Sequence, residues 1–184
     1  MATKVRLDQF DNNWYDPGKG FLVRGLWFVV NRIFLNSYLL PSYKLKRLLL
    51  RSFGARIGKG VVIKPKVNIK YPWKLEVGAH SWIGEGVWID NLDQVSIGDQ
   101  VCISQGALIL SGNHNYIKPE FDLMVKPIKI EDGAWIGARS MVTQGVTVGE
   151  EAILSVMSCA STKLEAGGIY RGNPAELVGR REIE

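Results

Sequence analysis

From residue 57 onward the chain repeats itself every six residues. Aliphatic side chains fall at Ile57, Ile63 and Ile69, at Val77, Ile83 and Ile89, at Ile97, Ile103 and Ile109, and at Ile130, Ile136, Val142, Val148 and Leu154. Glycine follows six of these anchors, at Gly58, Gly78, Gly84, Gly98, Gly137 and Gly149. Small or β-branched residues recur four positions after an anchor, among them Val61, Ser81, Val87, Val101, Ala107, Ala134, Ser140, Val146, Ala152 and Ser158. A period of six fits neither an amphipathic helix, which turns in about 3.6 residues, nor a hairpin meander of alternating faces. Short strands joined by tight corners satisfy it. Three strands make one triangular coil, and coils stacked at the roughly 4.8 Å spacing of paired strands set each anchor above the last. Glycine is expected at the corners, where a positive φ costs it little.

The breaks in this register are informative. The first three triplets are separated by steps of eight, so corner insertions are expected near residues 71–74 and 91–94. Between Ile109 and Ile130 the step is 21, which forces an excursion over about residues 111–127. Long loops in compact domains are usually functional or disordered. This one contains Ser111-Gly112-Asn113-His114-Asn115-Tyr116.

Ahead of the repeats, residues 1–54 read as an N-terminal helical extension to a coil domain spanning 55–184. Phe21 to Leu40 approaches the length of a membrane-spanning helix but is interrupted by Arg24, Asn31, Arg32, Asn36 and Ser37. A second, basic helix follows over Ser42 to Phe53, with Lys44, Lys46, Arg47 and Arg51, closed by Gly54. The reading is a helical pair covering one end of the core. Its alternative is peripheral membrane contact through this N-terminal segment.

At 184 residues, 46% hydrophobic and 22% charged, the chain suits one folded domain with an appendage. The net charge of +5 comes with no motif for reading or stacking bases, so no nucleic-acid partner is expected. Cys102 and Cys159 lack the spacing of a zinc or redox pair and are expected as two free, mostly buried thiols in a reducing compartment. Met1 to Asp16 is polar and mixed in charge, unlike a signal peptide, so the expected location is cytoplasmic, with the inner membrane face as the alternative.

Residues 57–175 resemble the hexapeptide-repeat acyltransferases, in the branch of the galactoside, maltose and nodulation-factor O-acetyltransferases. The landmarks are Gly112-Asn113-His114, the run Asp132-Gly133-Ala134-Trp135-Ile136-Gly137-Ala138, Gly145-Val146-Thr147-Val148-Gly149, and Gly172-Asn173-Pro174-Ala175. From about residue 14 onward the chain is most similar to the colanic acid biosynthesis acetyltransferases, in the stretches from Phe53 to Gly60, Ser81 to Leu92, Cys102 to Gly106, and Phe121 to Leu123.

The resemblance implies an all-β fold, a left-handed parallel β-helix, although right-handed crossovers are the general rule. It implies acetyl-CoA as co-substrate, a sugar or lipid-linked saccharide as acceptor, a homotrimer and no metal. His114 matches the family's general base, a task that suits an imidazole titrating near neutrality. The Ala138 main-chain N–H matches the oxyanion donor. Trp135 matches an aromatic near the thioester, and Val156, Ser161 and Thr162 match further cofactor contacts. Thr162 stands where many relatives have Lys, with Lys163 next to it. Arg180 and Arg181 are candidates for the nucleotide phosphates.

The acceptor side departs from the sugar-transferring relatives, whose acceptor-binding Asn aligns with Gly84. Glu85, Asp90, Asn91 and Asp122 are the candidate replacements. His80 falls in a repeat corner and reads as structural; with only two histidines, a three-histidine zinc site shared between subunits has too few ligands. A covalent route is disfavoured because there is no nucleophile-elbow motif. The expected function is O-acetyl transfer from acetyl-CoA to a sugar hydroxyl in exopolysaccharide biosynthesis; the rival is a non-catalytic β-helix acting as an assembly module.

Overall fold

The computed structural model describes residues 4–184. Three parallel sheets run along it and meet at corners. The first face carries Arg56–Ile57, Leu75–Val77, Val95–Ile97, Ile128–Ile130 and Thr147–Val148. The second carries Val62–Ile63, Trp82–Ile83, Cys102–Ile103, Trp135–Ile136 and Ile153–Leu154, then the closing hairpin of Gly168–Gly172 and Ala175–Arg180. The third carries Asn68–Ile69, Trp88–Asp90, Leu108–Leu110, Met141–Thr143 and Cys159–Ala160. Strands pair anchor on anchor, Ile57 on Val77, Ile63 on Ile83 and Ile69 on Ile89. The chain is a parallel β-helix. Every anchor is buried, as is each small residue four positions on, so one apolar column fills the coil.

The corners obey a rule that the expected role of glycine missed. Three residues after each of the anchors from Ile57 to Leu154, apart from those that open an insertion, the backbone is left-handed: Gly60, Lys66, His80, Gly86, Gln100, Gly106, Gly133, Arg139, Gly145, Glu151 and Met157 have φ between 55° and 75°. The six glycines directly after anchors are not among them. They are required because the next coil lies too close for a Cβ. A Cβ on Gly84 would stand 2.8 Å from Gln105 N, Ile103 O and Ser104 C, and one on Gly137 would stand 2.6 Å from Val156 N. His80 occupies one of the left-handed corners. Cys102 and Cys159 are free but half-exposed rather than buried, because each sits on a strand one residue before an inward-facing position.

All three register breaks fall at the corner from third face to first. The helical turn Pro72–Lys74 fills the first, a bend at 91–94 the second, and the excursion the third. The excursion is not irregular throughout: Gly112–His114 pairs antiparallel with Leu123–Val125. Residues 4–19, expected as part of a helical extension, instead run largely extended across this same corner, with one short turn at Leu7–Gln9. The Tyr15 hydroxyl donates to Leu92 O (2.6 Å), Trp73 Nε1 to Pro17 O (2.7 Å), and Arg6 N to Pro119 O (2.7 Å).

Helix α1 (Phe21–Val30), a wide turn (Asn31–Leu35) and helix α2 (Tyr43–Ser52) cover the first coil. A stack of parallel strands leaves carbonyls unpaired at its end, and a buried one is costly. Here side chains satisfy them: Trp27 Nε1 donates to Ile69 O (2.8 Å), Lys46 Nζ to Ile63 O (3.2 Å) and Lys64 O (3.0 Å), Arg47 to Val61 O (2.6 Å), and Arg51 Nε to Ile57 O (3.0 Å). Burial pulls the Lys46 ammonium below the ordinary lysine range. Three of the four cations of α2 are thus turned onto the coil, which removes most of the charge that membrane contact through Lys44 to Arg51 would use. Among the described residues no helix is long and apolar enough to cross a membrane.

Two substitutions test this architecture in chemical denaturation. Trp27→Phe removes a donor from Ile69 O and should cost about 1–3 kcal/mol. Gly84→Ala forces two coils apart and should cost about 1–3 kcal/mol, without loss of the α2 contacts.

Candidate active site

His114 ends the first strand of the excursion ribbon, opposite Leu123. Its Nδ1 lies 2.9 Å from the carbonyl oxygen of Phe121. A carbonyl only accepts, so Nδ1 carries the proton and Nε2 keeps a free lone pair. Phe121 delivers that carbonyl from a left-handed backbone, φ 55°, which is strained for a bulky residue. The tip of the excursion holds the strain in place. Phe121 N donates to Lys118 O (3.1 Å), Asn115 N to Asp122 O (2.8 Å), and Lys118 pairs with the Asp122 carboxylate at 2.8 Å. The Phe121 ring stacks on the imidazole at 4.5 Å between centroids, and Phe10 packs against it at 5.6 Å. The imidazole is therefore fixed in both tautomer and orientation.

A cavity of about 700 Å³ opens beside it, bordered by Asn12, Asn13, Tyr15, Arg24, Lys70, Asp90 and Asn113. Lys70 Nζ stands 3.0 Å from Asp90 Oδ1, and the Arg24 Nε is buried with no partner among the described residues. The floor is polar and carries one unspent cation. A larger groove of about 800 Å³ follows the first face, but Arg56 there pairs with Glu76, and Lys129 with Glu131. No histidine or cysteine borders it, so the cavity at His114 is the candidate site.

The other candidate residues divide between two edges of the third face. Trp135, Ala138 and Val156 gather at the corner from second face to third, where Met157 N donates to Ala138 O (2.9 Å). The N–H groups of Ala138 and Val156 donate to nothing among the described residues. Trp135 is half-exposed, its indole held by Ser104 Oγ at 2.9 Å. Ser161, Thr162 and Lys163 lie on the opposite corner, the His114 side, in the last coil; Lys163 pairs with Glu165 at 3.0 Å. Arg180 ends the closing hairpin and donates to Ala166 O (2.8 Å), while Arg181 pairs with Glu151 at 2.8 Å. A single chain does not bring His114 to Ala138.

Of the acceptor candidates, only Asp90 joins His114 at the cavity. Asn91 is corrected to a structural role: it is fully buried, donating to Tyr71 O (2.6 Å) and Lys74 O (3.0 Å) and accepting from Tyr71 N (3.0 Å). Asp122 braces the excursion through Lys118 and does not line the cavity. Glu85 lies at the Ala138 edge, where Tyr38 donates to it at 2.6 Å. Phe10, Asn12, Asn13 and Tyr15 were missed, since nothing in their polar stretch marks where it returns. Burial raises both thiols, Cys102 and Cys159, above the ordinary range, which disfavours a thiolate. Among the described residues no three His, Cys, Asp or Glu side chains form a metal-holding group.

With only two histidines, the tautomer is open to heteronuclear NMR. At alkaline pH the His114 ring is expected to carry its proton on Nδ1; a proton on Nε2 would contradict the Phe121 contact.

Residues 127–155 match the family model described as "Hexapeptide repeat of succinyl-transferase". The protein named "Putative colanic acid biosynthesis acetyltransferase WcaF" of Escherichia coli (strain K12) is 36% identical over 166 residues, 89% of this chain and 90% of that one. Galactoside O-acetyltransferase of the same strain is 25% identical over 78% of this chain and 71% of its own. Among solved structures, the hexapeptide-repeat acetyltransferase VCA0836 of Vibrio cholerae, complexed with acetyl coenzyme A, matches the fold with a TM-score of 0.81 at 20% identity, covering 91% of this chain and 93% of that one. At the identity and coverage shared with the first of these relatives, the chain belongs to the hexapeptide-repeat acetyltransferase family.

Proposed function

We propose that this acetyltransferase moves the acetyl group of acetyl-CoA to a hydroxyl of a saccharide, with His114 as general base. The observation that carries this is the fixed imidazole: Phe121 O holds Nδ1, leaving Nε2 as the basic nitrogen at a polar cavity of sugar size. Nε2 takes the hydroxyl proton as the oxygen attacks the thioester carbonyl, and a C–O bond forms. The oxyanion that results is met by the unspent N–H of Ala138. As the C–S bond breaks, the imidazolium returns its proton to the departing thiolate, and CoA leaves as the free thiol. No group on the protein is acylated.

The division of the site between two edges supports a homotrimer, in which the His114 edge of one copy meets the Trp135, Ala138 and Val156 edge of the next. Closed symmetric assembly is the common way to complete such a site. Similarity to a colanic acid biosynthesis protein supports an exopolysaccharide saccharide, free or lipid-linked, as the acceptor. The donor supports a cytoplasmic reaction.

His114→Ala should lower transfer by about 10² to 10⁴, the usual worth of a general base, with calorimetric CoA binding unchanged. Near-normal turnover in this variant would sink the assignment, and absent CoA binding by the wild type would favour the non-catalytic module. Light scattering is expected to give the mass of three chains; a stable monomer with full activity would remove the shared site.

A further inference from the structure

Helix α1 buries Trp27 and turns an unbroken apolar face outward. Phe21, Leu22, Leu26, Phe28 and Val29 are all exposed, Leu22 by 83%, and Ile33, Phe34, Leu39, Leu45 and Leu48 extend the exposure across the wide turn and α2. A helix ordinarily puts polar residues on its solvent side, and exposed apolar area of this extent marks an interaction surface. Charge identifies the partner. Residues 17–75, which build the helical cap and the first coil, contain thirteen Lys and Arg and no Asp or Glu. From residue 76 onward fifteen Asp and Glu outnumber eight Lys and Arg. The molecule is electrically polarised along its axis, with the apolar face at the positive end. Lys19, Arg32 and Lys44 are exposed on the same segment.

We infer that the capped end docks on an anionic lipid surface, apolar face inward and basic residues against headgroups. An apolar helical face with basic flanks is the pattern of an interfacial helix, and a negative surface would orient this molecule cap-first. The charge asymmetry disfavours a second copy packed cap to cap on this face, since two such ends would bring like charges together. Coils joined along their sides leave the capped end free, so the three copies of a trimer would present their caps together and bind with avidity. The cations that bind the first-coil carbonyls are not needed: Lys19, Arg32 and Lys44 supply the contact, which is why the inward turn of Lys46, Arg47 and Arg51 leaves this inference standing. It does not depend on the acetyl-transfer reading.

The test is co-sedimentation of the full chain with vesicles of phosphatidylglycerol and phosphatidylcholine in equal parts, and with phosphatidylcholine alone. Wild type is expected to sediment with the anionic vesicles at low salt and to be released at molar salt. A Leu22→Ser, Leu26→Ser, Val29→Ser variant, altered only on the outer face of α1, should partition about tenfold more weakly, with circular dichroism unchanged. Should that variant fail to fold, Lys19→Glu with Lys44→Glu leaves every apolar residue in place and should lose the anionic vesicles equally. Wild type left in the supernatant at low salt overturns the inference. So does a folded serine variant that sediments as wild type, or end-to-end doubling in light scattering without vesicle binding, which would name a second copy as the occupant. Acetyl transfer to a soluble saccharide should be the same in all these variants, so failure here and failure of the catalytic reading are distinguishable.

Discussion

Everything in this molecule depends on holding successive coils at one strand spacing. At that distance the main chain of one coil lies against the main chain of the next, and the residue after each anchor often has no room for a Cβ, as Gly84 and Gly137 show. The anchors then stack without offset, Ile63 on Ile83 on Ile103, and neither faces nor corners can drift. Each corner between anchors that holds no insertion is closed by one left-handed residue. Where that residue is Lys66, Gln100 or Glu151 rather than glycine, the strain of a left-handed side-chain-bearing residue, about 1–2 kcal/mol, is offset by the packing it closes.

A scaffold this regular has few places where chemistry can be added without breaking the stack. Insertions enter only between the third face and the first, and successive coils use that corner differently. The Pro72–Lys74 turn is tied down by Asn91, the bend at 91–94 by Ser111, whose Oγ accepts from Asp93 N at 3.0 Å, and the third insertion is long enough to form the ribbon that carries His114. The N-terminal strap crosses the same corner and adds Phe10 and Tyr15. The cavity is thus a product of stacked insertions on a rigid edge, and the same edge holds the His114 imidazole against the Phe121 carbonyl.

The coil was legible in the sequence because its signal is redundant: fourteen anchors report one period, and no single substitution hides it. That His114 lies in the longest register break was legible from the step of 21 between Ile109 and Ile130. What could not be read were features set by which side chains the folded chain brings together. Asn91 looks like any polar corner residue until Tyr71 and Lys74 are seen to need its amide. Asp122 looks free until Lys118 meets it. Residues 4–19 carry no periodicity, so nothing local says that they return to the excursion. Glycine was assigned its commonest virtue, left-handed backbone, when six of the repeat glycines serve close approach instead, a distinction that depends on the neighbouring coil and not on the residue itself.

The side chains that occupy the first-coil carbonyls have a consequence for assembly. An uncovered end of a parallel solenoid offers the same ladder to any further coil, including the far end of another molecule, and growth by that route has no natural stopping length. Trp27, Lys46, Arg47 and Arg51 fill those acceptors from within the chain, and the antiparallel return of Ala175–Arg180 covers the second face at the opposite end. The cap is therefore a terminator as well as a cover: it makes a repeat that could polymerise indefinitely into a particle of fixed length.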